Sequence, residues 1–256
     1  MSVTLAASLT AIGLFGGVIL LMETGRRIGI RRMAQDGEAR AGMGAVEGAV
    51  FGLMGLLIAF TFSAAASRFD GRRHLVTEEA NCIGTAWLRL DLLPAGAQPV
   101  LRDSFRRYLD TRLEVYQKLP DLEAAKAALG RAAALQGEIW TQATAACREG
   151  PPAAAMLLLP ALNQMFDITT TRTMATKVHT PSIIFVLLVA LTLISALLAG
   201  YGMAAAKTRS WVHMVGFALV MAAAVYIILD LEHPRLGFIN VHSADQVLVD
   251  LRQSMK

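Results

Sequence analysis

The sequence predicts an all-α integral membrane protein, with four transmembrane helices in two hairpins and a central extramembrane helical domain. Four strongly apolar stretches, at about 5–22, 43–66, 182–206 and 211–229, hold Glu47 as their one Asp, Glu, Lys or Arg. Each is long enough to cross a hydrocarbon core of roughly 30 Å as a helix rising about 1.5 Å per residue. A polar, alanine-rich region, 67–181, separates the two pairs. At 256 residues and 55% hydrophobic, the chain is too apolar for an ordinary soluble domain, and it has room for one bundle plus one helical domain. No β-branched alternation argues for a sheet.

The first span is expected to be retained, because 1–8 lacks a positive n-region and Met22-Glu23-Thr24-Gly25-Arg26-Arg27 does not look like a cleavage site. Arg26, Arg27, Arg31, Arg32 and Arg40 follow it, and Lys207 with Arg209 sits in the other short loop. The positive-inside rule puts both loops in the cytoplasm. The N-terminus, the central domain and the C-terminal tail, 231–256, then lie outside. Arg68, Arg72, Arg73, Lys177 and Arg235 weigh on the opposite side.

Span two is expected to run into one long helix, since no proline occurs between Met43 and Leu93, and Leu75, Ile83, Trp87 and Leu90 recur near helical spacing. Leu93-Pro94-Ala95-Gly96 ends it. A helix from Gln98 to Lys118 carries Leu101, Phe105, Tyr108, Leu109, Leu113 and Tyr116 on one side. Pro120 stops it, and Asp121 is the expected N-cap of a helix to about Arg148. Gly150-Pro151-Pro152 breaks the chain before a helix from Ala153 to Val178. Cys82 and Cys147 fall on different helices, as a disulfide outside the cell or as two small buried thiols.

Several groups are candidates for function. Gly44, Gly48, Gly52 and Gly55 form a small stripe suited to close helix packing. On a neighbouring line, Glu47, Phe51, Ile58 and Phe62 would line a pore in a ring of subunits, or pack within the bundle. Arg68, Arg72 and Arg73, with Asp70, Glu78 and Glu79 nearby, form either a solvated helix face or an anion vestibule. Tyr226, Asp230, Glu232 and Arg235 are expected to form an interfacial polar network, with Arg68 as a further partner of the acids. His74, His179, His213, His233 and His242 are scattered, and no metal spacing, nucleophile elbow or phosphate loop occurs, so neither enzyme activity, cofactor nor metal is expected. The net charge of +4 is not interleaved with aromatics, which argues against nucleic acid as a partner.

The stretches Glu47-Gly48-Ala49-Val50-Phe51-Gly52-Leu53, Ala59-Phe60-Thr61-Phe62-Ser63, Arg68-Phe69-Asp70, Glu78-Glu79-Ala80-Asn81 and Ile83-Gly84-Thr85-Ala86, with Tyr226 to Glu232 and Pro234-Arg235-Leu236-Gly237, resemble the bestrophin-like bacterial membrane family. The resemblance covers most of the chain. It implies four spans, a homo-oligomer in the bacterial inner membrane, and a pore along span two for small anions such as chloride. With the charge bias above, the central domain would be periplasmic. The chain departs from true bestrophins in its shorter C-terminal region and its lack of an acidic calcium-binding cluster, so calcium gating is not expected. The rival reading is a membrane-anchored scaffold or sensor whose central helices bind a partner.

Overall fold

The computed structural model describes residues 3–33, 43–119, 121–206 and 208–256; Arg40, Pro120 and Lys207 lie outside the described residues. Among the described residues the chain is helical, without strands: α1 (Val3–Met33), α2 (Met43–Arg89), α3 (Gln98–Gln117), α4 (Leu122–Glu149), α5 (Pro152–Ala175), α6 (Ser182–Gly202), α7 (Trp211–Leu231) and α8 (His242–Ser254), with 3-10 turns at Leu90–Leu92 and Met203–Ala205. Four of these, α1, α2, α6 and α7, are long and apolar enough to cross a membrane.

Local chemistry explains most boundaries. The Asp121 side chain accepts from the Ala124 N–H at 3.0 Å and so caps α4, as its position predicts. Pro152 sits in the first turn of α5, where its missing N–H costs nothing. Two elements exceed expectation. α1 continues through its arginines to Met33, because Arg31 and Arg32 favour a helix C-terminus. The presumed tail contains α8, whose amphipathic pattern buries Leu248.

The chain forms two compact units, one of Met1–Phe69 with His179–Ile239 and one of Asp70–Val178 with Asn240–Lys256. In the first, α1 lies against both α6 and α7, while among the described residues α2 makes no comparably close backbone approach to another span. Glycine decides the α1–α6 contact: a Cβ at Gly200 would overlap the Met22 carbonyl, and one at Gly25 would overlap that of Leu197. Leu14, Val18 and Met22 of α1 pack with Leu188 and Ala196 of α6 and with Met214, Ala218, Val225 and Ile228 of α7.

The second unit has its own core. Ile83, Ala86 and Leu90 pack with Leu101, Phe105 and Leu109 of α3, Ile139 and Ala143 of α4, and Leu158, Leu162 and Met165 of α5. α8 closes it on α3: Arg252 pairs with Asp110 at 2.7 Å, and Arg106 donates to the Met255 carbonyl at 3.0 Å. Cys82 and Cys147 are free thiols, and burial raises both above the ordinary thiol range, with Glu78 and Glu79 adding to this at Cys82.

Candidate functional site

α2 organises the candidate residues. Met54, Thr61, Ala65, Arg72, Val76, Glu79, Ile83 and Ala86 are all buried and mostly recur every three or four residues, a seam along one side of the helix. An apolar seam carrying an arginine and a glutamate must satisfy both charges locally.

In the first unit, Phe51 and Ile58 lie on this inward side, packed with Met54, Leu191, Met221 and Phe217. The Glu47 carboxylate stands beside Gly202 of α6, 3.3 Å from where a Cβ would be. Thus three positions of the expected pore line point into the protomer. The spacing i, i+4, i+8, i+11 that suggests a pore line is also that of a packing seam. Phe62, at the edge, is 45% exposed. Within the protomer the glycine stripe meets no other helix: a Cβ at Gly44, Gly48, Gly52 or Gly55 meets nothing within 4 Å. Only 17% of the apolar window of α2 is buried inside the protomer. Its outer face, with the glycines, Ala59, Phe60 and Ser63, is left uncovered.

Where α7 ends, Glu232 and Asp230 each take hydrogen bonds from partners of their own. Glu232 is buried, and Arg68 pairs with it while also donating to the Thr180 hydroxyl. Thr180 donates its hydroxyl at 2.6 Å and its backbone N–H at 3.3 Å to the same carboxylate. Burial raises the Glu232 carboxyl, but the Thr180 and Arg68 hydrogen bonds outweigh it and hold the group below the ordinary range. His179 lies 3.5 Å from Glu232 and stacks on His233 at 5.0 Å. Asp230 accepts the backbone N–H groups of Phe238 and Ile239 at 2.9 and 2.6 Å, and Tyr226 is half-buried. A Cβ at Gly237 would come within 2.5 Å of that carboxylate, so the Pro234-to-Gly237 turn requires glycine. Arg235, expected in one polar network with these residues, is half-buried in this turn.

In the second unit, Arg72 is buried and donates to the carbonyls of Ala175 at 3.1 Å and Val178 at 2.8 Å, closing the C-terminal end of α5. Arg73 is half-exposed, 3.8 Å from Asp70. Of the three expected vestibule arginines, Arg72 donates from a buried guanidinium to two carbonyls, and half-buried Arg68 donates through Nη2 to Glu232 and Thr180 while its Nε has no partner among the described residues.

A second site emerges at Glu79. Its carboxylate receives Arg112 at 2.5 Å through Nε and at 3.2 Å through Nη2, and also pairs with Arg172. Arg112 donates further to the Tyr116 hydroxyl at 2.7 Å, and Arg172 lies over the Tyr116 ring at 4.3 Å. Glu79 and Arg112 are 0% and 1% exposed. Burial opposes the charge of Glu79, yet Arg112 and Arg172 hold its carboxyl below the ordinary range. Tyr108 and Thr169 share a hydrogen bond of 2.9 Å nearby, to which Gln136 adds another. Sequence reasoning treated Glu79 as part of a surface cluster and missed Arg112 and Arg172. The available signal was register: Glu79 falls between Val76 and Ile83 on the seam, and Arg112 falls four residues after Tyr108 on the apolar side of α3.

These clusters hold charge and position backbone. Among the described residues, no group of three or more His, Cys, Asp or Glu is placed to hold a metal ion. A family profile described as Bestrophin-like domain matches residues 13–245. Among curated proteins and solved structures, none matches the chain.

Proposed function

The chain belongs to the bestrophin-like family, and from that premise we propose that this membrane protein assembles as a homo-oligomer whose α2 helices build a pathway for small anions. One observation carries the proposal. The outer face of α2 is apolar, lined by small residues and uncovered in the protomer, which suits close packing with a second copy. Phe62, at the edge of that face, is the best-placed constriction, and half-exposed Arg73 is the arginine best able to act on passing anions. Glu47, Phe51 and Ile58 support the helix from behind. No catalytic step, cofactor or metal enters this reading. It puts the protein in a bacterial inner membrane, with the arginine-rich end of α1 and Arg209 cytoplasmic and residues 67–181 periplasmic. A reporter fused after Lys256 should then be active only on the periplasmic side.

The test is anion flux from liposomes holding the purified oligomer. Flux should rise with Phe62→Ala and fall with Arg73→Glu. Folded oligomer without flux above empty liposomes, in every variant, would replace this reading with the membrane-anchored scaffold or sensor.

A further inference from the structure

One end of the α1/α6/α7 bundle carries a built basic cluster that the proposed pathway does not use. Glu23 of α1 receives Arg26 at 3.2 Å and Arg27 at 2.7 Å from its own helix, and Arg209 at 2.9 Å from the segment before α7. Among the described residues three guanidiniums share one carboxylate here, a net of two positive charges, and Arg31 and Arg32 follow, both exposed. Glu47 of α2 stands beside Gly202.

Arg209 also lies 3.9 Å over the ring of Trp211, which is itself 49% exposed and opens α7. The uncharged stretch of α1 ends at Met22 and that of α7 begins at Trp211, so the cluster marks a boundary between apolar and polar sequence. An amphipathic indole held against a guanidinium at such a boundary belongs to the headgroup layer. Glu23 fans the arginines without neutralising them, and the Arg27 side chain is 70% exposed.

We infer that this cluster is a binding site for the phosphate of an anionic phospholipid, held by Arg27 and Arg209 with Trp211 against the glycerol and upper acyl region. Arginine suits this role because its planar fork matches phosphate oxygens. The inference is independent of ion conduction.

The test uses full-length protein in phosphatidylcholine–detergent micelles, with phosphatidylglycerol added and retained lipid counted by native mass spectrometry. Wild type should retain phosphatidylglycerol over phosphatidylcholine. Loss of two arginines in Arg27→Gln/Arg209→Gln should weaken retention about 30-fold, and Glu23→Gln should strengthen it about fivefold. Should the double variant not fold, Arg27→Gln alone should weaken retention about fivefold. Equal retention of the two lipids, unchanged retention in the arginine variants, or weakening in Glu23→Gln would overturn the site. Protection by inorganic phosphate equal to that by the lipid, in thermal unfolding at matched ionic strength, would overturn the lipid assignment.

Discussion

Glu79 and Arg112, 33 residues apart on α2 and α3, meet in a buried pair at 2.5 Å, with Arg172 of α5 on the same carboxylate. Breaking such a pair leaves an uncompensated charge in the core, which costs about 3–5 kcal/mol. Glu79→Gln, which leaves Arg112 and Arg172 without their shared carboxylate, should destabilise the protein by that order in denaturation of the detergent-solubilised chain, and Arg112→Ala, which keeps the Glu79–Arg172 pair, should destabilise it through the cavity it opens. The triple replacement Glu79→Leu/Arg112→Met/Arg172→Met, which removes every charge, should cost far less than either single variant, since a buried ion network and a well-packed apolar one are often nearly equal in stability.

Acid should unfold the chain through its paired carboxylates. Glu79 and Glu232 are both held below their ordinary value of 4.5 in the folded state. Their contribution is thus fully present above about pH 4.5, and it is lost as pH falls through the lower folded-state values. The thermal midpoint should change little between pH 7 and pH 5 and drop below pH 4.5. Glu79→Gln should start lower and fall less steeply, and a wild-type curve that rises on acidification would contradict the pairing.

Two glycines on different helices should respond in opposite ways. Gly200→Val drives its side chain into the Met22 backbone, where only a shift of α1 from α6 gives room, so stability should fall by about 3 kcal/mol or more. Gly48→Val meets nothing in the protomer and should leave monomer stability within about 1 kcal/mol. Light scattering on the Gly48 variant should instead report a changed oligomeric mass.

Adjacent arginines should likewise separate. Arg72→Glu removes donors from two carbonyls at the end of α5 and buries a like-signed group against them, a loss of about 2–4 kcal/mol read as lowered thermal stability. Arg73→Glu, half in solvent, should be nearly neutral for folding, and flux alone should register it.

How far the site was legible follows from the same residues. The helices between 98 and 175 and the Asp121 cap could be read because propensity, proline and side-chain periodicity act over a few residues. The partner of Glu232 was within reach, since Arg68 follows span two on the same side as the end of span four. The triad was not: a glutamate in a helix rich in charge looks solvated until its register against α3 and α5 is known.

By itself, then, the sequence determined the four apolar spans and the helical class, because hydropathy and helical spacing are properties of contiguous residues, while its motifs carried the family resemblance. Only the tertiary structure decided which side of α2 faces the protein. A helix repeats every 3.6 residues, so Glu47, Phe51 and Ile58 on one side and Gly48, Gly52 and Gly55 on another are equally regular stripes. The burial of Met54 against Leu191 and Met221 chose between them. In the same way Arg68 and Arg72 became internal donors, because Glu232 and the carbonyls of α5, more than a hundred residues away, needed partners out of water.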